Sequence, residues 1–301
     1  MRQLLSSLAC FAFMSVSTPA AATLKVFACE PEWAALAQEL GGDELTAYSA
    51  TTAHQDPHHI EARPSLIARL RQADLVVCTG AELEIGWLPV LLRQAGNAKV
   101  RPGQPGYFEA ASFVTRLEVP KAVDRAMGDV HATGNPHVHL DPRRIATIAD
   151  ALADRLVAID TARSAGYRQR HADFKGRWQR AITDWSKRAA PLKGVRVVAH
   201  HRDWVYLYDW IGLVDAGTLE AQPGIPPTAV HLADLKAKLQ QTPARLIIRT
   251  PYQDARASEW LANQIHIPAV VLPYTVGGTP KANNLFGLFD DTVTRLLEYP
   301  K

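Results

Sequence analysis

Cysteine is scarce in this 301-residue chain: only Cys10, Cys29 and Cys78 are present, and none belongs to a CxxC-type pair. That sets cysteine aside as a metal ligand. An excess of one charge is also missing, since 33 Lys and Arg stand against 30 Asp and Glu and no basic run forms. Nucleic acid is therefore not an expected partner. There is no GxxxxGK[ST] loop, so any nucleotide hydrolysis linked to this chain belongs to another protein, and there is no HExxH metalloprotease motif. Beyond the N terminus no apolar run is long enough to span a bilayer, so the mature chain is expected to be soluble and not membrane-embedded.

The first 22 residues differ from the rest. Arg2 gives a positive start, LLSSLACFAFMSV is apolar, and STPAAA is small and turn-prone. This is the layout of a cleaved secretory signal peptide, with the cut expected after Ala22. Cys10 lies too early, with Ser7 where a lipoprotein signal wants a large aliphatic residue, so no lipid anchor is expected. Export to the periplasm permits a disulfide between Cys29 and Cys78, which end the strand-like runs KVFAC and DLVVC. Sequence alone leaves a bridge and two buried thiols equally open.

The mature chain repeats a strand-then-helix rhythm in two halves. LKVFAC, LTAYSAT and ADLVVCTG read as strands between the helices PEWAALAQELGG, SLIARLRQA and IGWLPVLLRQAG. The rhythm restarts at GVRVVAH and continues through DWVYLYDWIG, HLADLKAKLQQ, ARLIIRT, DARASEWLANQI and AVVLPY, closing with the amphipathic LFGLFDDTVTRLLEY. Alternation of this kind predicts an α/β fold of two lobes, each a parallel sheet flanked by helices. Between them runs a stretch with Tyr167, Phe174, Trp178, Ile182 and Trp185 near helical spacing, read as a long rigid connector helix whose aromatics pack. The boundaries expected are a signal peptide at 1–22, an N-terminal lobe at 23–160, the connector at 161–191 and a C-terminal lobe at 192–301.

Histidine is what the chain has in an informative pattern. Eight of its eleven histidines fall into three clusters: His54, His58 and His59; His131, His137 and His139; His200 and His201. Each cluster follows or lies within a turn-rich segment, and ligands of α/β sheets bind beyond the carboxyl ends of the strands. Three distant loops presenting imidazole point to one site assembled between the lobes, and neutral imidazole is the commonest protein ligand for zinc and similar metals. His171, His231 and His266 read as solvated or capping residues, as do His54 and His131 taken singly.

At these residues the sequence resembles the solute-binding proteins of zinc and manganese ABC importers, over essentially the whole mature chain. DPHHIEARPS matches the family's DPH motif, ADLVVCTGAELEIGWL a strand-plus-acidic segment, NPHVHLDP the pattern NPHVWLDP, and AHHRDWVYLYDWIGL a strand ending in His before an aromatic and a Tyr. The resemblance implies His58, His137 and His201 as metal ligands. His201 is preferred to His200 because Trp204 and Tyr206 then fall at the family's aromatic positions. It implies a monomeric carrier of Zn(II) that captures the ion and delivers it to a cognate permease and its ATPase; the sequence leaves open a periplasmic metal chaperone as a further partner.

Two departures matter. The family's fourth ligand, an Asp in a late Asp-Pro-Leu-Gly segment, is missing from VVLPYTVGG, which leaves water, a carboxylate such as Glu61, or a loop histidine for that place. His139 stands where Trp is usual, and with His54, His59 and His131 it is read as a metal-collecting rim. Three neutral nitrogen ligands favour zinc over manganese, which prefers carboxylates. Because the ligands must be deprotonated, metal loss is expected as pH falls through about 6.5. The same three histidines with an open position also describe a zinc hydrolase, for which Glu61 is the only nearby general base.

Overall fold

The computed structural model describes residues 23–122 and 128–299. The signal-peptide reading of residues 1–22 lies outside them. Two four-stranded sheets carry the fold, and every strand pairing is parallel.

In the first lobe, β1 (Leu24–Ala28), β2 (Leu45–Ser49), β3 (Leu75–Cys78) and β4 (Tyr107–Glu109) lie in the order β2-β1-β3-β4. The central β3 is buried along its whole length, as a continuous apolar run in a helix-covered sheet must be. Helix α1 (Pro31–Gly41) places Pro31 in its first turn and buries Trp33, Leu36, Ala37 and Leu40 on one face. Helices α2 (Pro64–Arg71) and α3 (Leu88–Ala95) complete the covering. The register pairs Ala28 with Val77, which brings Cys29 beside Cys78, and the two are joined in a disulfide.

Helix α4 (Pro142–Ile159) is capped by the Asp141 side chain, which accepts a hydrogen bond from the Arg143 amide. It leads through a 3-10 turn at Thr161–Arg163 into α5 (Ser164–Ala189), about 39 Å long at 1.5 Å per residue. Tyr167, Phe174, Trp178, Ile182 and Trp185 are buried along one face of α5, so these aromatics do pack. Trp178 stacks on Phe174, and its indole N–H donates to the Pro142 carbonyl at 2.8 Å.

The second lobe repeats the plan with β5 (Arg196–Ala199), β6 (Val214–Thr218), β7 (Leu246–Arg249) and β8 (Ala269–Val271), in the order β6-β5-β7-β8. Helices α6 (Val205–Ile211), α7 (Ala229–Gln241) and α8 (Ala255–Ile265) connect the strands. The last helix, α9 (Leu285–Leu297), returns to pack on α5 and α1, with Phe286 and Phe289 against Trp178 and Trp185. Residues of both lobes, α5 and α9 therefore share one continuous hydrophobic core.

Two edge strands carry no sequence signal. Tyr107–Glu109 spans three residues, and Val214–Thr218 reads VDAGT, with only Ala216 buried and a register shift where β5 pairs with it. Neither shows the apolar run or alternation that announces a strand.

Candidate metal centre

Both sheets point the carboxyl ends of their strands at the groove between the lobes. The loop after β2 carries His58, the turn after β5 carries His201, and the segment entering α4 carries His137. Ring nitrogens of the three lie within 4.8 Å of one another, and all three side chains are buried. His58 meets His137 and His201 edge-on, at 5.6 and 5.8 Å between ring centroids.

Each loop is held by bonds that the sequence motifs encode. The Trp87 indole donates to the Pro57 carbonyl at 2.8 Å, fixing the turn that presents His58. Asn135 binds the other two sources together: its carbonyl Oδ1 accepts the His137 amide at 3.1 Å and its Nδ2 donates to the Arg202 carbonyl at 2.9 Å. Tyr206 donates its hydroxyl proton to the Asn135 carbonyl at 2.5 Å and accepts the Leu117 amide. The Asn of the NPH segment and the Tyr after His201 are thus struts of the site.

The outward nitrogen of each imidazole is already engaged. His58 Nδ1 lies 2.7 Å from Asp56 Oδ1, His201 Nδ1 2.7 Å from Glu220 Oε2, and His137 Nδ1 2.7 Å from the Tyr274 hydroxyl. A carboxylate accepts only, so Asp56 and Glu220 hold their rings with Nδ1 protonated, and Nε2 is the nitrogen that each ring offers to the centre when neutral. Carboxylate or hydroxyl partners on the far nitrogen are what orient histidine toward a metal.

The electrostatics divide the three. Burial, followed by the neighbouring imidazoles, holds His137 well below the ordinary histidine range, so it stays neutral. Burial also pushes His201 down, but Asp203 and Glu220 outweigh it and carry it up to about 9. Asp203 is raised by burial against the pull of His201 and His58. Asp56 resists its own burial and is lowered by its bond to His58.

The remaining histidines separate into distinct roles. His131 is not solvated: its Nε2 lies 3.3 Å from His58 Nε2, the rings stack, and burial holds it down at about 3. His54 and His59 are exposed, and His59 faces Asp129 at 3.6 Å, so these two do stand at a rim. His139 does not. It is fully buried, with Nδ1 3.4 Å from Glu32 Oε1 and Nε2 3.0 Å from the Tyr274 carbonyl, and it ties α1 to the second lobe. A His in place of Trp keeps an aromatic ring edge-on to Trp33 and adds these polar links. His200 turns away from the triad toward the second face of Glu220, 3.7 Å from Oε1. His171 pairs with Asp150, and His266 caps α8 in the left-handed conformation. Glu61 is exposed and stands outside the buried set.

One residue at the centre was missed by sequence reasoning. Asp203 is fully buried, with Oδ1 3.6 Å from His137 Nε2 and 4.0 Å from His201 Nε2. The available signal was an acidic residue two positions after a ligand-type histidine, in HHRDW. The arrangement is a buried, preoriented imidazole cluster with a carboxylate beside it, which suits a divalent metal cation.

Comparison with known proteins agrees with this reading of the fold. The profile of the family "Zinc-uptake complex component A periplasmic" (ZnuA) matches residues 26–299. The chain is similar to the manganese ABC transporter substrate-binding lipoprotein PsaA of Streptococcus anginosus, 22% identical over 254 residues that cover 84% of this chain and 80% of that protein. It is also similar to the zinc-binding lipoprotein AdcA of Streptococcus pneumoniae serotype 4, 23% identical over 232 residues, covering 76% of this chain and 44% of that one. Among solved structures, a crystal structure of ZnuA superposes with a TM-score of 0.77 at 20% identity, covering 93% of this chain and all of that one. A manganese-bound periplasmic metal-binding protein from Candidatus Liberibacter asiaticus gives 0.73 at 13% identity, covering 92% of this chain and 99% of that chain. The two lobes of parallel sheet, the long helix between them and the sequence match lead to one conclusion: the chain belongs to the ZnuA family of extracytoplasmic metal-binding proteins, the solute-binding components of ABC metal importers, and is not an enzyme.

Proposed function

We propose that this protein captures Zn(II) in the periplasm at His58, His137 and His201 and hands it to a membrane permease driven by a separate ATPase. The observation that supports the reading is the engagement of all three Nδ1 atoms by Asp56, Tyr274 and Glu220, together with ring nitrogens of the three histidines within 4.8 Å of one another. Three imidazoles favour zinc over manganese, whose sites prefer oxygen donors. Affinity alone would also admit copper and nickel, so geometry and availability complete the selection. The relatives are named for both manganese and zinc, which makes the metal the point to test. We read residues 1–22 as a cleaved signal, so that the mature carrier is free in the periplasm.

The test is metal analysis of the full chain expressed without an affinity tag and purified without added metal. One zinc per chain, lost in His137→Ala, is the expected result. Manganese at the same stoichiometry, or zinc retained by His137→Ala at wild-type affinity, would overturn the assignment.

A further inference from the structure

We propose that Asp203 supplies the fourth donor to the metal, taking the place of the carboxylate that the segment after β8 does not provide. The inference rests on the reading of His58, His137 and His201 as ligands.

The Asp203 carboxylate is fully buried, and its two oxygens have different surroundings. Oδ2 accepts a hydrogen bond from Gln253 Nε2 at 2.9 Å. Among the described residues, Oδ1 has no hydrogen-bond partner, and it is sealed from solvent. It faces Nε2 of His137 at 3.6 Å and Nε2 of His201 at 4.0 Å. Those are the two nitrogens left over once Tyr274 and Glu220 have taken the Nδ1 atoms. A buried carboxylate oxygen that accepts no hydrogen bond and faces two imidazole nitrogens is costly unless positive charge sits among them, a place that a metal ion fills once it displaces the proton of His201.

The spacing suits such a cation. Zinc bonds of about 2.0–2.2 Å to nitrogen and oxygen, in tetrahedral geometry, set neighbouring donors roughly 3.4 Å apart. The Asp203 distances need only a small inward movement to meet that. Charge points the same way. Three neutral imidazoles leave both charges of the ion uncompensated in a buried cavity, whereas one carboxylate in contact halves them.

The fold explains the relocation. At the end of β8 the chain carries Leu272, Pro273, Tyr274 and Thr275, and Tyr274 reaches the site only through its hydroxyl on His137. The short turn Arg202–Trp204 directly follows His201, so one turn presents an imidazole and a carboxylate to the same point.

The experiment compares wild type, Asp203→Ala, Asp203→Asn and His131→Ala by zinc competition titration and by the visible spectrum of the Co(II)-loaded chain. Asp203→Asn preserves side-chain shape and an acceptor for Gln253, so it reports if the alanine variant fails to fold. Expected for both Asp203 variants is a fall in zinc affinity, on the order of 100-fold for alanine, with a changed Co(II) ligand-field band. His131→Ala should leave the band in place. An unchanged band and affinity in both Asp203 variants would overturn the proposal. So would a band that moves in His131→Ala and not in the Asp203 variants, which would assign the fourth donor to the loop imidazole. Absence of any zinc or cobalt site in wild type would overturn the histidine reading itself, and this inference with it.

Discussion

The hydroxyl of Tyr274 lies 2.7 Å from Nδ1 of His137 and belongs to the opposite lobe, 137 residues further along the chain. It occupies the segment where a carboxylate ligand was expected and acts through the imidazole instead. Tyr274→Phe keeps the ring among Trp204, His139 and Tyr252 and removes only that bond. Zinc affinity should fall by about 10-fold, while thermal stability of the metal-free protein changes little. Competition titration and a thermal melt check both.

Zinc binding should release a proton at neutral pH. His201 is held up to about 9 by Asp203 and Glu220 against its burial, so at pH 7 the free protein carries its imidazolium. Its folded value lies above the ordinary one near 6.5, so the stability it contributes is complete below that value and fades as pH rises through 9. The metal needs the neutral ring, and affinity should therefore climb between pH 6.5 and 9. This moves the expected acid loss of metal to a higher range than an ordinary histidine would give. Calorimetry at pH 7 in buffers of different ionisation enthalpy counts the protons, and a flat affinity across this range would contradict the assignment.

Glu220→Gln separates orientation from charge. Glutamine retains an oxygen for His201 Nδ1 but removes one of the two carboxylates that raise the ring. Proton release at pH 7 should drop, and affinity measured at pH 9 should weaken by about 10-fold. Paired titrations at the two pH values distinguish the effects.

A second buried acidic group governs stability away from the metal. Burial, then Glu84 and Glu32, hold Glu30 well above the ordinary carboxylate range, and burial pushes Glu84 up to about 7. Folded values above the ordinary 4.5 mean that stability is complete below that pH and is lost as pH rises toward 7. Glu84→Gln keeps an acceptor for the Thr79 and Gly80 amides. It should raise the melting temperature at pH 8, by up to roughly 3 kcal/mol in stability, and do little at pH 4. Melts at both pH values test this.

Removing the Cys29–Cys78 bridge by serine at both positions frees a loop of sequence separation 49. Chain-entropy arguments put the loss at about 4 kcal/mol. The bridge sits at the β1–β3 seam in the first lobe rather than among the histidines, so zinc stoichiometry should survive in the folded fraction. Denaturant titration and metal analysis together decide it.

How far the sequence was legible depends on the kind of signal. Apolar runs such as LVVC and periodic faces such as Trp33, Leu36, Ala37 and Leu40 declare their elements, and both halves of the α/β plan follow from them. The edge strands Tyr107–Glu109 and Val214–Thr218 do not, because pairing on one side demands little of the side chains. Clustering identified the three histidines that meet. It misread His139, whose neighbours in sequence are site residues but whose partners Glu32 and Tyr274 come from elsewhere in the fold. Asp203 was hidden for the same reason: its burial and its unpartnered oxygen are tertiary facts.

The shared core that runs from Trp33 through Trp178 to Phe289 and Val197 has a mechanical consequence. Prising the two halves apart like a clamshell would break that core, the bond between Thr275 and Glu32, and the contact of His139 with the Tyr274 carbonyl. Release of a metal held at the three histidines is therefore expected through small local displacements near His54, His59 and His131. Solution scattering of filled and emptied carrier should then superimpose, and the importer has to recognise a full carrier from the contour of one short stretch of surface.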